Sequence, residues 1–163
     1  SLFEDQGGVL WIGTFTGISK WNRSVNTFQL VNKKKPTGQN LSSDVISSFA
    51  EAKNGDFYVG TWGEGINVID VDKSTISYIK SQPGIKGALQ NDRITTLLID
   101  SKQNLWVGTH RDGLHFRAKG SKKFKQFIHD PTDDSTLSSS KISKIMEIGN
   151  GNIAIGTFGG GIN

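Results

Sequence analysis

The phrase Leu-Trp-Ile-Gly-Thr, closed shortly afterwards by Gly-Ile, runs from Leu10 to Ile18 and returns three more times along the chain. Its other copies are FYVGTWGEGI (Phe57 to Ile66), LWVGTHRDGL (Leu105 to Leu114) and IAIGTFGGGI (Ile153 to Ile162). The Gly-Thr pairs start at Gly13, Gly60, Gly108 and Gly156, and the closing glycines at Gly17, Gly65, Gly113 and Gly161 keep a step of 48 residues throughout. The first Gly-Thr step is one residue shorter, 47, and the difference sits in the turn around Thr16. Self-similarity at this period marks a repeat architecture, in which each unit completes its core only against a neighbour. Most apparent motifs in such a chain are scaffold.

The second repeat serves as the type. Val45 to Ala50 is apolar and β-branched and reads as strand a, followed by the Lys53-Asn54-Gly55 turn. Asn-Gly suits a tight hairpin because it tolerates positive φ. Strand b follows at Asp56 to Thr61, strand c at Ile66 to Asp70, and strand d at Thr75 to Ile79 after the polar turn Asp72-Lys73-Ser74. The loop Lys80 to Arg93 leads to the next strand a. In Leu10-Trp11-Ile12 and Leu105-Trp106-Val107 consecutive residues are apolar, so both faces of the sheet are buried. Four-stranded antiparallel sheets covered on both faces and repeated at this interval predict radially stacked β-propeller blades. A stacked solenoid would use shorter coils.

The fold expected is therefore all-β: residues 1–163 as a partial propeller of three four-stranded blades plus a surplus a–b hairpin. With 20 Gly, 3 Pro and 9% aromatic residues, the composition suits short strands and tight turns. Strand a should lie innermost, its phase-matched Ser47, Thr95 and Ser143 facing a narrow wet channel. The glycine of each Gly-Thr pair should permit close approach of the neighbouring blade, and the closing glycines should supply positive φ. The chain opens and stops partway through a repeat, which reads as a piece of a longer protein. Propellers close with about four to eight blades. The remaining blades are thus expected from the parent chain, or from a second copy in a homodimer that closes one ring.

Without Cys, disulfides and thiolate metal sites are excluded, and no apolar run approaches the roughly 20 residues that span a bilayer. No membrane contact is expected of this segment. The net charge of +4 gathers in Lys33-Lys34-Lys35 and in Lys119, Lys122, Lys123 and Lys125. These read as solvated loops in preference to an anion-binding patch. The interleaving of aromatic and basic residues typical of nucleic-acid modules is missing, so no nucleic acid is expected. Asn22-Arg23-Ser24 fits a glycosylation acceptor, a triplet common by chance.

The repeated [L/F/I]-[W/Y/A]-[I/V]-G-T…G-[I/L] phrase, with LSSDVI, LQNDRI and LSSSKI leading into strand a, resembles the two-component regulator propeller repeat. Ala154 in place of the usual Trp, and Ser140-Lys141 in place of an Asx-rich lead-in, are departures in the last repeat. That family supplies extracytoplasmic sensor regions of hybrid histidine kinases, common in Bacteroidetes, and of some membrane-bound diguanylate cyclases. The resemblance implies a periplasmic or extracellular, non-catalytic ligand-sensing module of an inner-membrane protein.

Chemistry is sparse. His110 and His115 flank Asp112, but two ligands at the ends of a turn without a third make a poor zinc site. His129 sits beside Asp130-Pro131 in a long loop, and Asp130, Asp133 and Asp134 lack the EF-hand ligand pattern. Gly159-Gly160-Gly161 joins two strands with no helix following, unlike a phosphate loop. Neither a metal nor any cofactor is expected. In a propeller the b–c turns and d–a loops share one end of the disc. That end collects a ring from each repeat (Phe15, Trp62, His110 and Phe158), with Glu64, Arg111 and Asp112 beside them and Asp44, Asp92 and Arg93 at the channel mouth. Repeat-to-repeat variation concentrates there. Rings flanked by charges suit a small-molecule, oligosaccharide or peptide ligand, and capping of the inter-blade core is the alternative. An enzymatic reading, a propeller lyase or carbohydrate-active enzyme, would have to use Glu64, Asp112 and His110. A protein–protein scaffold would use the same face.

Overall fold

Runs with apolar residues on both sides of each strand form antiparallel ladders, and each repeat becomes one sheet. The computed structural model describes residues 1–22, 27–31, 40–70, 73 and 75–163. Blade 1 comprises β1 (Leu2–Glu4), β2 (Val9–Thr14), β3 (Gly17–Asn22) and β4 (Thr27–Val31). Blade 2 comprises β5 (Ile46–Glu51), β6 (Phe57–Thr61), β7 (Ile66–Asp70) and β8 (Thr75–Ile79). Blade 3 comprises β9 (Ile94–Ile99), β10 (Leu105–Thr109), β11 (Leu114–Arg117) and β12 (Lys125–Phe127). The last sheet holds β13 (Ile142–Ile148), β14 (Asn152–Thr157) and the two-residue β15 (Gly161–Ile162). Strands pair in chain order within every sheet. The propeller architecture read from the repeat is the observed one, and the surplus hairpin has gained a short third strand. Lys33–Lys35, Arg23 and Ser24 of the glycosylation triplet, and Asp72 and Ser74 of the c–d turn lie outside the described residues.

The core lies between blades, in three slabs. Trp11 and Ile18 from blade 1 meet Ile46, Phe49, Phe57 and Val59 from blade 2. Rings dominate this slab, with Trp11 and Phe57 centroids 4.4 Å apart and Phe49 and Phe57 5.5 Å apart. Ala50 and Ile66 pack against Ile94, Leu97, Leu105 and Val107 between blades 2 and 3. Leu114 packs against Ile142 and Ile145 between blade 3 and the last sheet. Alternation along β10 divides its residues between two slabs: Leu105 and Val107 face blade 2, while Trp106 faces the last sheet. A buried side chain of this size contributes about 1.5–3 kcal/mol.

Strand a carries a bulge in three blades, at Ser47, at Thr95 and at Ser143, each opposite the glycine of a Gly-Thr pair. These glycines are needed for space. A Cβ on Gly60 would sit 2.5 Å from Ser48 Oγ and 2.8 Å from Ile94 of the next blade, and one on Gly108 would sit 2.6 Å from Ile142. The small polar residues correct one expectation. The hydroxyls of Ser47 and Thr95 do not face a wet channel; they are shut from solvent without a protein partner, like those of Ser48 and Thr96. The bulge turns two side chains of strand a toward its glycine partner.

Two a–b hairpins carry a lock invisible to strand periodicity. Asp100 accepts from the Asn104 backbone N–H at 2.7 Å, from Asn104 Nδ2 at 2.9 Å and from Trp106 Nε1 at 2.8 Å. Asp5 does the same in blade 1, accepting from Val9 N–H at 2.9 Å and Trp11 Nε1 at 2.7 Å. Burial pushes the Asp100 carboxyl up, but Trp106, Asn104 and the Lys102 amide outweigh it and hold it below the ordinary carboxylate value. Blade 2, with Ala52 and Tyr58 at the matching positions, lacks both halves of the lock.

Candidate functional site at the turn end of the blades

The threonine of each Gly-Thr pair builds the b–c turn. Thr61 Oγ1 donates to the Gly65 carbonyl at 2.8 Å and accepts from the Glu64 amide at 3.0 Å. Thr109 repeats this with Gly113 at 2.9 Å and Asp112 at 3.1 Å, and Thr14 with Gly17 at 2.8 Å and Thr16 at 3.1 Å. The closing glycines supply the positive φ expected of them, 71° at Gly65 and 73° at Gly113.

The loop that leads to the next blade clasps this turn from outside. Gly63 and Gly65 amides donate to the Asp92 carbonyl, and Gly113 donates to that of Ser140. Because a main-chain carbonyl does the clasping, Ser140 replaces an acidic residue without loss. Leu41, Leu89 and Leu137 of the same loops plug the slabs at 2%, 1% and 8% exposure. The residue after each leucine is held by strand c. Ser42 N–H donates to Asn67 Oδ1 at 2.8 Å, Gln90 N–H to His115 Nε2 at 3.3 Å, and Ser138 N–H to Asn163 Oδ1 at 2.9 Å. The sequence reading missed this clamp, although its constant separation of 25 residues was available as a signal.

His115 is therefore a structural member of that series. It is fully buried, and burial pushes its pKa down to about 4 against a smaller upward pull from Asp112. His129 is tied into its own loop, with Nδ1 2.6 Å from the Leu137 carbonyl. Asp130 and Asp133 accept from Thr132 and Ser135 in local turns, which hold both carboxyls below their ordinary values.

On this scaffold stand the candidate ring residues. Trp62 and His110 come together, centroids 5.0 Å apart and planes tilted by 59°. Trp62 is 43% exposed, whereas Nδ1 of the half-buried His110 is shut from solvent without a protein partner. Arg93 bridges the two blades here, pairing with Trp62 and accepting the His110 amide on its carbonyl. Phe15 and Phe158 stand apart at 84% and 56% exposure, without a ring contact to this pair among the described residues.

The neighbouring charges are partly committed. Glu64 forms an ion pair with Lys80. Asp112 accepts from Asn91 Nδ2 at 2.5 Å. The Asp92 carboxylate accepts the Ser81 amide at 2.7 Å, so it closes its own loop. Asp44 occupies the equivalent position one blade earlier and is half-buried, whereas Arg111 is exposed. The site is an open rim with one aromatic–imidazole pair at its centre. It can stack a flat ligand face on the exposed indole of Trp62.

Residues 40–63 and 88–111 match the family model of the two component regulator propeller. They span the loop, strand a, strand b and ring residue of blades 2 and 3, two of the four copies on which the sequence resemblance rests. Histidine kinase P4 of Formosa agariphila is 29% identical over 131 residues, 74% of this chain and 9% of that relative. The extracellular domain assigned to a hybrid two component system of B. thetaiotaomicron superposes with a TM-score of 0.77 at 21% identity, over 96% of this chain and 20% of that one. A streptogramin B lyase structure superposes with a TM-score of 0.62 at 17% identity, over 99% of this chain and 52% of that one. At these identities the structural likenesses show the propeller fold.

Proposed function

We propose that this chain is a non-catalytic, ligand-sensing propeller segment of the periplasmic or extracellular region of a hybrid two-component histidine kinase. The observation that carries the reading is the Trp62–His110 pair, which varies from blade to blade on a turn whose hydrogen bonds do not vary. The two regulator-propeller matches and the histidine kinase relative support the signalling context. Stacking on the exposed Trp62 indole suits a saccharide ring. Among the described residues no helix is long and apolar enough to cross a membrane, so an anchor would belong to other parts of the parent protein.

The lyase-type reading finds less support in the side chains. Glu64 is engaged by Lys80 and Asp112 by Asn91, so two of the three candidate acid–base groups already have partners. Two measurements test the proposal. Coding sequence beyond residue 163 should specify a membrane helix followed by a histidine kinase module, and a secreted propeller with neither would overturn the sensor reading. Titration of a neutral saccharide panel against tryptophan fluorescence should give a response that Trp62→Ala abolishes. An unchanged response in that variant would remove Trp62 from the site.

A further inference from the structure

The a–b hairpins of blades 1, 2 and 3 are each tied to the next sheet, and the middle tie differs from its neighbours. In blade 1 the Gln6 amide donates to Glu51 Oε2 of blade 2 at 3.0 Å. In blade 3 the Ser101 amide and hydroxyl donate to the two carboxylate oxygens of Glu147 at 2.8 and 2.6 Å. These glutamates share a register position, opposite Phe57 and Ile153 on strand b, and the matching residue in blade 3, opposite Leu105, is Ile99. The Lys53 amide of blade 2 is held instead by a neutral amide oxygen, Gln103 Oε1, at 2.7 Å. A hydrogen bond to a carboxylate is roughly twice as strong as one between neutral groups.

Gln103 makes this bond from a strained backbone. Its φ is 65°, at the turn position where the other hairpins carry Gly8, Gly55 and Gly151. A glycine there would be relaxed but could not reach Lys53. The two hairpins also differ in stiffness, because Asp100 locks the one that carries Gln103 whereas blade 2 lacks that lock. Beneath the tie the seam is hollow, a cleft of about 580 Å³ with Lys53 on one lip and Lys119 on the other. Both lysines are exposed, and the carboxylate on the wall, Asp56, accepts from Asn54 Nδ2 at 2.8 Å. Like charges on facing lips repel.

We propose that the blade 2 hairpin, residues 52–56, is a hinged lip caught by Gln103, and that release of this catch opens the cleft. The slab of Ile66, Ile94, Leu97 and Val107 keeps the two blades together as the lip moves. Glu51 and Glu147 hold the hairpins of blades 1 and 3 shut. The inference is independent of the Trp62–His110 rim and of the sensor reading.

Amide hydrogen exchange followed by NMR on the 163-residue chain tests it. The Lys53 amide should be protected at least about tenfold less than those of Gln6 and Ser101. Gln103→Gly, which installs the residue used in the other hairpins, should lower Lys53 protection at least about tenfold more, with circular dichroism unchanged. Ile99→Glu supplies the carboxylate found at the other two seams and should raise Lys53 protection by about the same factor. Lys119→Gln, and the unaltered chain at high salt, should each raise Lys53 protection and leave Gln6 and Ser101 as they were. Lys53 protection equal to that of Gln6 and Ser101, or unchanged in Gln103→Gly, would overturn the proposal. Protection unmoved by both Lys119→Gln and salt would overturn the repulsion between the lips.

Discussion

Replacing Asp100 by Ala should measure how much the hairpin lock contributes. The side chain is 6% exposed and serves the Asn104 amide, Asn104 Nδ2 and the Trp106 indole. Hydrogen bonds to a charged acceptor are worth about 1.5–3 kcal/mol each, but water can reach the half-buried indole and the exposed lip of the turn, so a net loss of roughly 3 kcal/mol is expected. For a chain of this size that corresponds to a fall in Tm of about 6–12 °C, readable by thermal circular dichroism. In a Trp106→Phe background one donor is already gone, and the same substitution should cost about 1–2 kcal/mol less. The effect also has a pH signature. The folded carboxyl is held below the ordinary value of 3.8, so its stabilisation is fully present above that value and is lost as pH falls through it. Asp100→Ala should flatten this acid limb. A loss below about 0.5 kcal/mol, or equal losses in the two backgrounds, would refute the lock as the source of hairpin stability.

Gly108→Ala should destabilise by roughly 1–3 kcal/mol in urea unfolding through overpacking against Ile142, while Gly156→Ala, whose Cβ would meet Ser143 Oγ at 3.0 Å, should cost less. His115, with a pKa depressed from 6.5 to about 4, stays neutral in the folded chain while the unfolded chain takes up a proton. Stability should therefore decline as pH falls from 6.5 toward 4, and His115→Asn, the blade 2 solution, should reduce that slope in urea midpoints. Leu2 and Ile162, 68% and 82% exposed on opposite terminal blades, lead us to expect head-to-tail association of two copies. Light scattering should show a dimer that Met146→Lys weakens, and a stable monomer at dilute concentration would refute it.

The repeat made the blades legible because its determinants are local and recur every 48 residues. The glycine at a crowded bulge, the threonine that closes a turn, the positive-φ glycine and the apolar triplet of strand b each act within a hairpin or against an identical neighbour. Sequence spacing alone therefore predicted the strand order within each sheet and the common end of the sheets on which Trp62, His110, Asp92 and Arg93 emerge. It did not distinguish the rings that meet from those that stand apart, or the carboxylates that are engaged from those that are not. It also expected Ser47 and Thr95 on a wet channel, whereas their hydroxyls are shut from solvent.

Lateral packing decided those matters. Trp62 and His110 touch because adjacent blades bring residues one full repeat apart to the same radius. The Asp92 carboxylate is consumed by the Ser81 amide, 11 positions earlier in its own loop, and His115 is neutral because a slab closes over it. The seam between blades 2 and 3 depends on the same effect, since Arg117 Nη2 meets Tyr58 Oη across 59 positions and the Lys53 amide meets Gln103 Oε1 across 50. Periodicity constrains the backbone of each blade, whereas the charge and hydrogen-bonding state of a side chain depends on what the neighbouring blade places against it.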